Sequence, residues 1–138
     1  MSPKELGAHL QAAGALLGKP ASAEEISVFE SQFGFSMTAR FRAIYGSFNG
    51  FKFQNSSSVI DLWSLKEIAE TSRTFICSDN RRYIAIGDFL MDSDLIMANL
   101  EFEGTPVFLL FEQIKVAENV DQFLERLVSG ALDLPSSF

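Results

Sequence analysis

Hydrophobic residues recur at helical spacing in three short segments of the first 50 residues, and a capping residue precedes each segment. Ser2 and Ser22 each stand three residues before a glutamate, the arrangement of a helix-capping box. The residues predicted to face the core are Leu6, Leu10, Ala13 and Leu17, then Ile26, Phe29 and Phe33, then, after Thr38, Phe41, Ile44, Tyr45 and Phe48. We therefore predict three helices, the first extending to Leu17 and the others ending at Gly34 and Asn49-Gly50.

The rest of the chain changes to short apolar runs separated by turn residues, which is typical of a β-sheet. Strands are predicted within residues 59–63, 83–88, 95–100 and 107–111, with a loop at 55–58 and a turn at 78–80. Ser64 predicts a brief fourth helix, and Asn119 predicts a last one. The apolar stripe of that last helix is Val120, Phe123, Leu124 and Leu127. We predict an α+β fold with N-terminal helices, a mostly antiparallel sheet and a closing C-terminal helix.

The composition is that of a small acidic globular protein. The chain has 138 residues, with 11 Lys and Arg against 18 Asp and Glu, a net charge of −7. This length fits a single domain, predicted at residues 1–138, in which 1–19 form an N-terminal helical extension. The acidic balance argues against nucleic-acid binding, because phosphate contacts require clustered Lys and Arg. It favours a basic partner.

Scarce residue types narrow the possible chemistry. Cys77 is the one cysteine and His9 the one histidine, so the chain cannot form an internal disulfide or a zinc site of the usual His and Cys ligands. A Ser-His-acid triad would need His9, which lies on a predicted surface helix. No apolar run approaches the roughly 18 residues of a membrane span, and the first residues lack the pattern of a secretory signal. We expect no cofactor, no membrane contact and a cytoplasmic location.

Acidic residues form the one candidate site of the sequence. Asp88, Asp92 and Asp94 lie in or beside one predicted loop, and Glu101 and Glu103 share a strand face by the two-residue period. Such oxygens can bind magnesium or calcium. Their spacing does not match an EF-hand loop, however, and a solvated acidic loop is the commoner arrangement.

Two aromatic residues beside the Asn-Gly turn have two interpretations. Phe51 and Phe53 flank Lys52. Their alternation fits a buried strand face, and it also fits an exposed anchor for a protein partner. Cys77 follows two apolar residues, which favours an inert, partly buried thiol.

Several motifs occur in a familiar order along residues 20–130. They are Ala23-Glu24-Glu25-Ile26 with Phe29-Glu30 and Phe33-Gly34, Phe41 with Asn49-Gly50, Ile60-Asp61-Leu62-Trp63-Ser64-Leu65 with Glu67-Ile68, Tyr83-Ile84-Ala85-Ile86-Gly87-Asp88, Pro106-Val107-Phe108, and Val120 with Phe123-Leu124. Their sequence and spacing resemble the SUKH superfamily of Smi/Knr-like domains. Met37-Thr38 stand where that family usually has Leu-Pro.

The resemblance implies a non-enzymatic α+β domain that binds another protein. Many bacterial members of that superfamily are immunity proteins that neutralise a cognate toxin, often a nuclease, whereas fungal relatives regulate cell-wall assembly. The hypothesis is therefore an immunity protein that binds a basic toxin domain. The residues predicted to contact the toxin are Asp88, Asp92, Asp94, Glu101 and Glu103, with Phe51 and Phe53 as anchors. The alternatives are a regulatory or scaffolding domain for an endogenous protein, and a metal-dependent enzyme or ligand binder at the acidic loop.

Overall fold

The computed structural model describes residues 1–53, 60–89 and 94–129, which form five helices and one antiparallel sheet of eight strands. The helices are α1 Pro3–Ala12, α2 Ala23–Phe33, α3 Ala39–Ser47, α4 Leu65–Thr71 and α5 Val120–Ser129. The strands are β1 Ala15–Leu17, β2 Phe51–Phe53, β3 Ile60–Leu62, β4 Thr74–Ile76, β5 Arg82–Phe89, β6 Asp94–Ala98, β7 Val107–Leu109 and β8 Ile114–Ala117. The predicted α+β architecture, with helices first and a helix last, is confirmed.

The helix starts follow the capping residues of the sequence. Ser2, Ser22 and Ser64 each accept a hydrogen bond from the backbone N–H three residues later, and the glutamate there accepts one from the N–H of its serine. Thr38 caps α3 in the same way, without the returning bond. Gly34 ends α2 in the left-handed conformation, with φ of 72°.

The order of strands across the sheet follows the chain, with one exception. The order is β1-β2-β3-β5-β6-β7-β8, and every pairing is antiparallel. The exception is β4, which pairs with the first half of β5, whereas β3 pairs with the second half of β5. The helix α4 connects β3 to β4. Two strands therefore share one side of β5.

The hydrophobic core joins residues from all five helices to the sheet. Leu6, Leu10, Ile68 and Phe123 from the helices are fully buried with Phe51 of β2. Further core residues from the sheet are Ile60, Tyr83, Phe89, Ile96 and Leu109. The backbones of β3 and β5 lie very close together at Gly87, where an added Cβ would lie 2.2 Å from the Asp61 carbonyl oxygen. Only glycine fits this position.

The first helix is shorter than the sequence predicted. It ends at Ala12, because Gly14 takes a φ of 101°, and Ala15–Leu17 then pairs with β2 as strand β1. The segment 1–19 is therefore not helical throughout. The strands β4 and β8 were not predicted, and the predicted loop at 55–58 lies outside the described residues. The single-domain organisation stays a prediction.

Candidate protein-interaction surface

Asp94, predicted to contact a partner, is instead a buried structural residue. Its side chain is 2 % exposed at the start of β6. Its Oδ1 atom accepts hydrogen bonds from the backbone N–H groups of Leu95 and Phe111, at 2.8 and 2.7 Å. Its Oδ2 atom accepts one from the N–H of Glu112, at 3.0 Å. The carboxylate therefore fixes the turn between β7 and β8, and the prediction that it is exposed is wrong.

Asp88 is engaged with residues of its own sheet. Its Oδ2 atom accepts a hydrogen bond from the indole N–H of Trp63 at 3.1 Å, and it faces Asp61 across the β3–β5 pairing. The ammonium of Lys52 lies among these acids. The Glu67 carboxylate, 2.9 Å away, is the main cause that raises the pKa of Lys52, and Asp61 and Asp88 add to it. The lysine thus offsets part of the local negative charge.

Glu101 and Glu103 lie at the other end of the β5–β6 pair. Glu101 is 3.7 Å from the guanidinium of Arg82 at the start of β5, whereas Asp88 lies six residues further along that strand. At about 3.3 Å per residue, roughly 20 Å of strand separates Asp88 from Arg82, the ion-pair partner of Glu101. Glu103 is exposed, and Asp92 lies outside the described residues. Among the described residues, the predicted acidic side chains do not form one cluster.

Phe51 belongs to the core and cannot be an exposed anchor. It is 2 % exposed, and its ring contacts that of Phe53 edge-on, with centroids 5.6 Å apart. Phe53 is half-buried against the same core. Both side chains alternate with exposed Lys52 along β2. The buried strand face, one of the two interpretations from the sequence, is the one observed.

The structure exposes a different apolar surface, the aromatic groove, between β4 and the β7–β8 hairpin. The groove has a volume of about 320 Å³. It is lined by Phe75, Pro106, Phe108, Leu110, Gln113 and Lys115. Phe75 is 52 % exposed and faces Tyr83 across the β4–β5 pairing, and the Tyr83 ring lies 5.3 Å from that of Phe108. Aromatic rings from two distant chain segments therefore share one face of the sheet.

Polar and charged side chains beside the aromatic groove are hydrogen-bonded or paired with neighbouring residues. The Tyr83 hydroxyl donates to Asp79 at 2.8 Å, and burial together with this aspartate raises the pKa of Tyr83 to about 12. The Arg73 guanidinium lies 6.0 Å from the centroid of the exposed Phe111 ring. Lys115, at the rim, pairs with Glu118 at 2.6 Å. The groove is thus apolar at its base, and Lys115, the charged residue of its lining, is neutralised by Glu118.

One edge of β4 has no strand partner in the described part of the chain. Among the described strands, β4 pairs with β5 alone, and all three of its residues are exposed. The Ala85 N–H donates to the Arg73 carbonyl, and the Cys77 N–H donates to that of Arg81. By antiparallel alternation, the main-chain groups of Thr74 and Ile76 point away from β5. An extended segment of another protein can add to this edge.

The aromatic groove could not be predicted from the sequence, because its residues lie in apolar runs that are typical of buried strands. Phe108 and Phe111 lie in an apolar run that resembles a buried strand, and Phe75 stands beside Cys77 in a similar context. The thiol of Cys77 is half-buried, and burial raises its pKa. A signal was present in the polar residues Glu112 and Gln113, which break the apolar run and indicate a hairpin tip.

Residues 1–53, 60–89 and 94–129 contain neither a metal-binding cluster nor a membrane-spanning helix. Within these ranges, no three His, Cys, Asp or Glu side chains lie close enough together to bind a metal ion. No helix there combines the length and hydropathy that a membrane span requires. What the described surface offers is an apolar groove, a free strand edge and charged borders, which are features of protein recognition.

Comparison with known proteins agrees with the order of elements in the fold. No significant match to a curated protein was found. The sequence model of the SMI1 / KNR4 family (SUKH-1) matches residues 20–126, which extend from the segment before α2 into α5. This match covers most of the chain and includes every strand from β2 to β8. The chain therefore belongs to the SMI1 / KNR4 family (SUKH-1).

Proposed function

We propose that this protein is an immunity protein, which binds a toxin domain and covers the surface that the toxin uses. Membership of the SMI1 / KNR4 family carries the proposal, because it indicates an immunity-like or regulatory domain that acts through protein–protein interaction. Domains of this family are generally binding domains without enzymatic activity. In this proposal the protein acts in the cytoplasm and uses neither a cofactor nor a metal.

The aromatic groove supplies the apolar part of the contact. Phe75 and Phe111 are both more than half exposed, at 52 % and 56 %. Burying one such side chain under a partner stabilises a complex by about 1–2 kcal/mol. Aromatic residues at the centre of an interface commonly contribute a large share of its binding energy. Phe75, which lines the groove, and Phe111, which follows the lining residue Leu110, are therefore the residues whose loss we expect to weaken the complex most.

The net charge of −7 supports a basic partner. Opposite net charges raise the rate at which two proteins meet, and they disfavour wrong partners. A nuclease domain is basic, because its contacts with nucleic-acid phosphates require clustered Lys and Arg. A basic nuclease toxin therefore fits the proposed function.

Co-expression in growing cells tests the proposal. The chain is expressed with the product of each adjacent gene, and both growth rescue and a purified complex are measured. We expect one neighbour to be toxic alone and harmless together with this chain. Phe75→Ser and Phe111→Ser should together weaken that complex by roughly thirtyfold or more, since each contributes about 1–2 kcal/mol. Phe102→Ser is the matched control, because Phe102 is 49 % exposed and belongs neither to the groove lining nor to the β7–β8 hairpin that carries Phe111.

Two results would contradict the proposal. If no neighbouring product is toxic, or if toxicity persists although a complex forms, this protein is not an immunity protein. Capture of an endogenous, non-toxic protein through Phe75 and Phe111 would instead favour the regulatory or scaffolding role. That role would use the same aromatic groove for a different partner.

A further inference from the structure

A second groove lies between α2 and α4, and its lining shares no residue with that of the aromatic groove. Its volume is about 480 Å³. On α2, Glu24, Val28 and Gln32 follow one another at intervals of four residues and therefore lie along one stripe of the helix. On α4, Lys66 and Glu70 have the same spacing. We name this surface the α2–α4 groove.

The floor of the α2–α4 groove is apolar and partly open. Phe29 and Leu65 are each 3 % exposed and form its base together with Ala69. Val28 is 61 % exposed, although it lies directly beside this base. At one end the Gln32 side-chain amide donates to the Ala69 carbonyl at 3.4 Å and holds the two helices together. The groove therefore has an apolar floor that no described side chain covers.

The rim of the groove is acidic. Glu24, Glu25 and Glu70 line it and are exposed, against one lysine, Lys66. Lys66 forms no ion pair among the described residues. An occupant that places cations beside the three carboxylates gains Coulomb energy, whereas an acidic occupant is repelled. The rim thus selects a basic partner.

The walls determine the secondary structure of that partner. Both walls are helices, whose backbone groups are already hydrogen-bonded within α2 and α4. An added strand would find no main-chain partners here, whereas a helix brings its own hydrogen bonds. A third helix also packs naturally between two helical ridges. The 11 residues of α2 extend over about 16 Å, which matches a partner helix of about three turns.

We propose that the α2–α4 groove binds an amphipathic helix of the partner protein, with an apolar stripe on Val28 and lysine or arginine beside Glu24 and Glu70. The inference deepens the proposed function, and it rests on that function only for the statement that the partner is a toxin. It also gives the acidic character of the chain a definite location on α2 and α4, in place of the predicted loops.

Stapled helical peptides of about 14 residues test the inference on the isolated protein. The first peptide carries leucine at every third or fourth position with flanking lysines. The second replaces each lysine by glutamate, and the third has the first composition in an order that scatters the leucines. Fluorescence anisotropy measures the binding of each. We expect the first peptide to bind at least tenfold more tightly than the other two, and more weakly as salt rises from about 0.05 M to about 0.5 M.

Variants locate the binding site. Val28→Ser removes the exposed apolar contact, and Glu24→Gln with Glu70→Gln removes two charges while keeping the side-chain shape. The triple variant should bind the lysine peptide about tenfold more weakly. The matched control combines Leu16→Ser, Glu103→Gln and Glu112→Gln, which makes comparable changes, apolar to serine and glutamate to glutamine, at exposed positions outside the groove. The control should bind as the unchanged protein does.

The outcomes separate this inference from the proposed function. If the lysine and glutamate peptides bind equally, or if both triple variants lose the same affinity, the proposal that the α2–α4 groove binds a basic helix is wrong. A toxin complex that the groove variant leaves intact overturns the groove while the immunity function stands. Peptide binding that depends on the groove residues, without any toxic neighbour, supports the groove and removes the immunity function.

Discussion

Replacing Asp94 by alanine removes the acceptor of three backbone hydrogen bonds, from Leu95, Phe111 and Glu112. A hydrogen bond to a charged acceptor contributes about 1.5–3 kcal/mol. The two N–H donors in the β7–β8 turn belong to exposed residues and can form hydrogen bonds to water in the variant. The free energy lost with each of these two bonds therefore lies at the low end of this range. We expect Asp94→Ala to lower the free energy of unfolding by about 5 kcal/mol, with two bonds at about 1.5 kcal/mol each and the third within the full range. Asp94→Asn keeps one acceptor oxygen and should cost about 2 kcal/mol.

Urea denaturation followed by fluorescence of Trp63, the one tryptophan, measures this loss. The matched control is Glu103→Gln, which removes one negative charge at an exposed position. It should change the free energy of unfolding by less than about 0.5 kcal/mol. If Asp94→Ala is as stable as the control and weakens partner binding instead, Asp94 is a contact residue and the structural assignment is wrong.

Two further predictions concern the framework. Gly87→Ala should lower the free energy of unfolding by more than about 3 kcal/mol, because the new Cβ would lie 2.2 Å from a carbonyl oxygen of β3. Gly46→Ala in α3 meets no atom within 4 Å and should raise it by up to about 1 kcal/mol in the same urea assay; equal effects would refute the steric argument. Burial tends to raise the pKa of Glu30, but the Met37 N–H and the Arg42 guanidinium outweigh it and hold that pKa below its ordinary value. The ionised form therefore stabilises the fold above the ordinary pKa, and this stabilisation is lost as pH falls through the lowered one. Glu30→Gln should cost about 1 kcal/mol near neutral pH and progressively less below about pH 4, as measured by urea denaturation across pH; a cost independent of pH would contradict this.

The helix starts could be predicted because their cause is local. A serine and a glutamate three residues apart satisfy each other's backbone amides wherever the chain goes next, so Ser2, Ser22 and Ser64 mark helices correctly. The end of α1 was missed because Leu17 continues the helical spacing, although Gly14 has already turned the chain. Strands of three or four residues such as β4 contain too little alternation to be recognised.

The candidate site was harder to predict because exposure is a property of tertiary structure. Asp94 has the same local appearance as an exposed loop aspartate, and only the distant N–H groups of Phe111 and Glu112 bury it. Val28 shows the opposite difference, because it is an apolar residue that the structure leaves exposed. It stands on a well-predicted helix beside Phe29, yet the spacing alone does not reveal that the space between α2 and α4 stays open above it. The net charge of −7 was visible from the sequence, whereas its local arrangement was not.

The aromatic groove occupies the margins of the sheet. Among the described strands, β4 pairs with β5 alone and β8 pairs with β7 alone, while the longest ladder joins β5 to β6. Substitutions in these marginal strands leave that central ladder and its buried residues unchanged. The same chain-ordered pairing brings most strands together over short sequence separations, which favours rapid folding. Substitutions at Phe75 and in the β7–β8 hairpin can therefore change which partner is bound without changing the strand pairings that form during folding.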